Sequence, residues 1–280
     1  MSNKSPSTNH VVTNSWQTLK DFTDARIALG RAGTSIPTAE MLKFQLEHAQ
    51  ARDAVHLPLE ADELYKTLKS ALIDRPQALD LFASAEPLLV NSLANNRGTY
   101  LQRPDYGRML TPSSCAKLTI ENAQYDLAIC VVDGLSSMAI EKNTLPFLQQ
   151  FLTNLDDDTI QLAPLTVCTQ GRVAIGDHVA QLLGAKTVMV LIGERPGLLS
   201  PDSMGLYLTY DVHVGCHDAQ RNCISNIRPA GLSYEIAASK AKYLFEESQR
   251  LQFSGVNLKE RTQNTANVLT SHQSFLTQKV

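Results

Sequence analysis

The chain has 280 residues, 43% of them hydrophobic, with 25 Lys+Arg against 28 Asp+Glu and a formal net charge of -3. Balanced charge with no block of one sign gives no electrostatic footprint for nucleic acid or an anionic membrane surface. The longest apolar runs, Leu127–Val132 and Thr187–Ile192, fall far short of the ~20 residues that a membrane-spanning helix needs.

The first residues, MSNKSPSTNHVV, lack the basic start and apolar stretch of a signal peptide. Cys115, Cys130, Cys168, Cys216 and Cys223 are odd in number and form no CxxC pair. They make a poor disulfide framework and suit a reducing compartment, so a cytoplasmic location is expected.

Residues 1–15, rich in Ser, Thr, Asn and Pro, read as a flexible tail. Residues 16–100 read as a helical N-terminal region. Thr38 serves as N-cap for a helix over AEMLKFQLEHAQARDAV, with Glu40 and Glu47 near its beginning and Arg52 near its end. LPLEADELYKTLKSALI and PQALDLFASAEPLLVNSLANN give two further helices, opened by Pro58 and Pro76.

From 101 to 280 the pattern changes. Asp126–Val132, Ile160–Cys168, Thr187–Ile192 and Gly205–Asp211 are continuous apolar runs of strand length. Helical spacing separates or follows them at Ile140–Leu155, at Ile175, Val179, Leu182 and Leu183, and at Ser233–Leu251. Strands that are apolar without alternation are covered on both faces, and alternation with helices means a mostly parallel, doubly wound, Rossmann-like α/β sheet. Ligands of such sheets bind outside the carboxyl ends of the strands. The loops DGLSS, after the first run, and GERPG, after the third, stand there.

In GERPG, Gly193 and Gly197 permit a close backbone approach, and the Glu194 carboxylate can accept hydrogen bonds from a ligand; the plainer alternative is a tight turn with a surface ion pair. In DGLSS, Asp133 and Ser136 either face a ligand at a helix N-terminus or cap that helix. Arg103-Pro104-Asp105-Tyr106-Gly107-Arg108 offers two cations, an anion and an aromatic ring to a polar ligand or partner, or is a loop with an Arg–Asp pair. RNCISNI is polar for a connector, and Cys223 has no His or second Cys at catalytic spacing. Asp211-Val212-His213-Val214-Gly215 is a near miss to the Asp-x-His-x-x-Gly of proteins that put a histidine on cobalt, so His213 is not read as a metal ligand. No G-x-G-x-x-G, Walker A loop or G-x-S-x-G elbow occurs.

Taken in order, ARIALGRAG with TSIPT, RPDYGRML, VVDGLSSMAI, QGRVAIGDHVAQLLGAK, GERPG and RNCISNI make the chain, from about Asp24 to about Lys259, resemble the small (light) subunit of ethanolamine ammonia-lyase. The resemblance implies an adenosylcobalamin-dependent lyase converting ethanolamine to acetaldehyde and ammonia. It also implies a larger (β/α)8-barrel catalytic subunit as partner, six copies of each chain, and cobalamin at the seam between the two. Val173, Glu194 and Cys223 match the family's cofactor-contacting positions, and the resemblance assigns this chain no catalytic residue and no metal ligand. Some relatives carry a longer N-terminal extension linked to bacterial microcompartments; the short polar segment before Trp16 speaks against such packaging here. Arg103, Asp105 and Asp133 are expected near cofactor or partner, with RPDYGR placed at the seam. A self-sufficient nucleotide-cofactor enzyme and a non-catalytic interaction protein are the two alternatives.

Overall fold

The computed structural model describes residues 10–23, 25–74, 81–119, 124–155 and 159–261. A short antiparallel pair, β1 (Val11–Val12) and β2 (Arg31–Ala32), precedes two helices, α1 (Thr38–His56) and α2 (Ala61–Ile73). Then follow β3 (Leu88–Asn91), α3 (Arg97–Gln102), α4 (Pro112–Leu118), β4 (Tyr125–Val132) and α5 (Ser137–Asn154). The chain continues through β5 (Thr166–Thr169), α6 (Ile175–Leu183), β6 (Ala185–Gly193), β7 (Met204–Tyr210), β8 (Arg221–Ile227) and α7 (Tyr234–Leu251).

The six-stranded sheet has the order β3-β5-β4-β6-β7-β8. β3, β5, β4 and β6 pair in parallel, while β7 runs antiparallel to both neighbours. Five of the six strands therefore share one direction, and helices cover both faces. In β4 the pleat sends Leu127, Ile129 and Val131 into a core shared with α2, α5 and α7. Ala128, Cys130 and Val132 go into a second core under α4 and α6. Burial of both sides is why β4 and β6 are apolar without alternation.

Several local readings change. Residues 76–80 lie outside the described residues, but Leu88–Asn91, placed by sequence in a helix, forms β3, in register with Thr166–Thr169 of β5. A short Leu-Leu-Val run fits a helical stripe or a buried strand equally well; the open edge beside β5 decides. Of the run Ile160–Cys168, only Thr166–Cys168 lies in a strand, which begins after Pro164, a residue with no N–H to donate to a ladder, and ends at Thr169; Leu162 makes isolated bridges to Phe82 and Leu127. RNCISNI, read as a polar connector, is the edge strand β8. Thr38 is the first helical residue and not the cap; Pro37 precedes it and supplies no side-chain bond. Val11 and Val12, inside the expected tail, pair with Ala32 and Arg31.

α1 is attached sparingly. Among its side chains Glu47 and Ala54 are buried, whereas Leu42 and Leu46 are each 59% exposed, beside exposed Met41 and Phe44.

Candidate functional site

The loops after β4, β5 and β6 meet at the carboxyl edge of the parallel strands. Leu135 donates its N–H to the Gly193 carbonyl at 2.9 Å. That contact needs two glycines: a Cβ on Gly134, whose φ is +58°, would sit 2.2 Å from the Gly193 oxygen, and one on Gly193 would sit 2.1 Å from the Ser136 oxygen. Between the loops lies an open cavity of about 310 Å³, whose walls include Tyr100, Gly134, Arg172, Val173, Glu194 and Tyr207.

Asp133 does not face this cavity. It is fully buried and accepts the N–H groups of Gln170 (2.9 Å) and Gly171 (3.0 Å), with Arg97 Nη1 3.6 Å away. Its carboxylate thus holds the loop after β5, where Gln170 takes a left-handed φ of +54°. Such a backbone costs of order 1 kcal/mol or more and persists where the surroundings fix it; the Ser92 hydroxyl adds a bond to the Gln170 carbonyl. Burial pushes Asp133 up to about 6, against the opposing pull of the two backbone donors and Arg97. Ser136 does cap α5, accepting from the Ala139 N–H at 3.2 Å, and also donates to the Pro201 carbonyl.

Of the three residues singled out in the sequence, two line the cavity together. Val173 is half-buried at the loop-to-helix junction, where its carbonyl accepts the Gly176 N–H. Glu194 follows the last residue of β6 and is oriented by the Ser203 hydroxyl and the Asn226 N–H, both on Oε2. This leaves Oε1 for a ligand. Cys223 lies one strand further out, on β8 opposite Tyr207. It is exposed, with Sγ 3.3 Å from Ser225 Oγ. Burial, and then Cys223 beside it, raise the Tyr207 phenol well above its ordinary range, so the thiol meets the cavity wall through that ring.

The other motifs separate. Arg103 and Asp105 form an exposed ion pair at 2.6 Å, with the guanidinium stacked on Tyr106. Their segment reaches the site through its backbone, the Gly107 carbonyl accepting the Arg172 N–H at 2.7 Å. Arg221 of RNCISNI is buried and donates to both oxygens of Asp177 at 2.7 Å. His213 sits in the loop after β7, at the opposite edge of the sheet from the cavity, near the Asp211 carbonyl and Cys216.

Four residues of the site were not singled out: Arg97, Tyr100, Arg172 and Tyr207. Arg172 is adjacent to Val173 inside QGRVAIGDH, which was a usable signal. The contact of Arg172 Nη2 with the Tyr100 carbonyl at 3.2 Å spans 72 positions of chain and has no local sequence signature.

Comparison with known proteins bears on what this edge serves. The family model described as ethanolamine ammonia-lyase light chain (EutC) matches residues 13–259. The chain belongs to that family. The ethanolamine ammonia-lyase small subunit of Azotobacter vinelandii is 49% identical over 267 residues, covering 94% of this chain and 93% of its own. Small subunits of Pseudomonas fluorescens and Pseudomonas putida are each 51% identical over 255 residues, with 89% of this chain covered and 88% and 89% of theirs. The span matched by the light-chain family contains every loop of the cavity.

Proposed function

We propose that this chain, as an ethanolamine ammonia-lyase small subunit, holds one edge of adenosylcobalamin at a seam with the larger catalytic subunit. The observation that carries the reading is that Val173 and Glu194 line one cavity at the carboxyl edge of the sheet, in a chain of this family. A cavity of about 310 Å³ is at the small end for a drug-sized ligand and far too small to enclose a corrinoid. It fits a site completed by a second chain. The donor set also fits: a free carboxylate oxygen for amide N–H groups, apolar surface from Val173 and Tyr207, and buried polar hydrogens of Tyr100 and Arg172 without a partner. The exposed Met41, Leu42, Phe44 and Leu46 of α1 form apolar surface of the kind that partner chains cover. The C-terminal end of α1 is tied to the site, since Arg97 Nε donates to the Val55 carbonyl at 2.7 Å.

When bound, adenosylcobalamin supplies the radical chemistry that converts ethanolamine to acetaldehyde and ammonia. The residues of this chain orient and enclose. Glu194 accepts hydrogen bonds from the corrin's amide side chains, Val173 gives apolar contact, and Cys223 supports the wall through Tyr207. None acts as acid, base or radical carrier, so the chain has no turnover alone. Six copies of each subunit assemble in the cytoplasm.

The test is ethanolamine deamination with adenosylcobalamin, using this chain alone, the large subunit alone, and the mixture. Activity confined to the mixture is the expected result; activity of either chain alone, or none in a mixture of folded chains, contradicts it. Glu194→Gln in the assembled complex then separates cofactor holding from scaffolding. Weakened cobalamin affinity is expected, and unchanged affinity favours a scaffold.

A further inference from the structure

One wall of the cavity carries more positive charge than the protein neutralises. Arg97 and Arg172 both stack on Tyr100, their guanidinium carbons 4.8 and 4.2 Å from the ring centroid. Arg97 is 9% exposed and Tyr100 is wholly buried. Arg97 donates to the carbonyls of Val55 and Gly134 and lies 3.6 Å from Asp133. Asp133 is the one carboxylate among the described residues within ion-pair reach of either arginine, it reaches Arg97 alone, and it already serves two backbone N–H groups. Arg172 donates to the Tyr100 carbonyl and has no carboxylate at ion-pair distance among the described residues.

Three buried polar atoms here lack a partner: Arg97 Nη2, the Tyr100 hydroxyl and Arg172 Nε. An unmade hydrogen bond at a buried group is costly, more so at a charged one, and three in one cluster beside a cavity call for a ligand-side explanation. The contrast with Glu194, across the same cavity, is chemical. Its side suits amide donors; the Tyr100–Arg172 side offers hydrogens and positive charge, which suit a full anion better than a neutral amide.

We infer that Tyr100 and Arg172, backed by Arg97, form a subsite for a phosphate-type anion. This rests on the cobalamin reading of the same cavity, and within it the ligand group is the phosphodiester that joins the nucleotide tail to the corrin ring, the anionic group of that cofactor. Free inorganic phosphate is the other source of the same chemistry, and the test separates the two.

The experiment measures equilibrium affinity, by calorimetric titration, of the assembled two-subunit complex for adenosylcobalamin, adenosylcobinamide phosphate and adenosylcobinamide. The last two differ in the phosphate alone. In the wild-type complex the phosphate-bearing corrinoids bind tenfold or more tightly than adenosylcobinamide, and inorganic phosphate competes with them and not with adenosylcobinamide. Arg172→Met removes that preference and leaves adenosylcobinamide binding within twofold. Tyr100→Phe, which deletes a hydroxyl without a protein partner and is the variant safest for folding, reduces the preference severalfold. Arg172→Lys keeps the charge without the fork and restores part of it.

An equal loss for all three corrinoids in the variants, or no loss for any, overturns the subsite. Phosphate binding that depends on Arg172 while corrinoid affinities stay unchanged assigns the site to a free anion and overturns the phosphodiester. If no corrinoid binds the wild-type complex, the cobalamin reading fails and takes this inference with it; if all three bind without a phosphate preference, the inference fails alone.

Discussion

Two buried arginine clusters flank α6, and their bonding differs. Below its first turn, Arg221 donates to both Asp177 oxygens, to Thr209 Oγ1 and to the Cys216 carbonyl. Its remaining N–H, Nε, is buried without a hydrogen-bond partner, with Asp218 Oδ1 3.6 Å away. Ahead of α6, Arg97 lies 3.6 Å from Asp133, Arg172 has no carboxylate at ion-pair distance among the described residues, and Arg97 Nη2, the Tyr100 hydroxyl and Arg172 Nε lack partners. The first cluster is the more closed, a structural joint bonded through both terminal nitrogens of Arg221 that fixes edge strand β8 to α6. The second is the more open, with one carboxylate for two guanidiniums, and Tyr100 and Arg172 of this cluster line the cavity. Four bonds tie Arg221 into the fold and serve stability, whereas the Tyr100–Arg172 cluster keeps charge and donors that fit the proposed anion subsite.

The largest effect should come from opening the closed joint. Arg221→Ala leaves Asp177 buried and unpaired, and breaking such a pair costs about 3–5 kcal/mol. Urea unfolding of the isolated chain should show that loss; a change under 1 kcal/mol would show that the joint is not structural.

The open cluster should reveal itself next, through pH. Burial raises Asp133 from 3.8 to about 6, so the folded chain holds a proton there that the unfolded chain releases. Its contribution is fully present below about pH 4 and is lost as pH rises through 6, a span of roughly 2–3 kcal/mol at ~1.4 kcal/mol per unit. Asp133→Asn removes this slope while giving up a backbone bond. The difference between the two stability–pH profiles isolates the residue, and parallel profiles would contradict the assignment.

Smaller still is Tyr100→Phe. Deleting a buried hydroxyl that has no protein partner should leave stability within ~1 kcal/mol of wild type, or raise it. A clear destabilisation would mean that the open cluster is closed in solution.

The least costly change is chemical labelling. Burial pushes Cys130 up to about 12 and Cys168 well above its ordinary value, while Cys223 is exposed. A thiol reagent should modify Cys223 with no measurable change in melting temperature, and bound cobalamin in the assembled complex should slow the reaction. Modification of Cys130 at the same rate would contradict the described burial.

The legible parts of the sequence were those where one physical demand acts alone. β4 and β6 are apolar throughout because both faces are covered, and Ile175, Val179 and Leu183 mark the buried stripe of α6. Sheet-edge elements were hidden. β3 offers four residues inside a Leu-rich stretch. In β8 Arg221 is buried toward α6 and Ile224 and Ile227 toward the opposite core, these two lying three apart because the register with β7 shifts between Met204 and Leu206; no alternation survives to be read. At the site, Glu194 and Val173 stood out through the loops that carry them. Tyr100 and Arg97 did not, since their importance comes from stacking and charge across distant segments.

The most direct test of the central claim, that the carboxyl edge of this sheet faces the cofactor, is hydrogen exchange of the chain within the two-subunit complex, with and without adenosylcobalamin. Cofactor-dependent protection should appear in 133–136, 170–174 and 193–203 and be absent from 211–217 at the opposite edge. Protection at 211–217 with none at 170–174 would place the cofactor at the wrong end of the sheet and contradict the account.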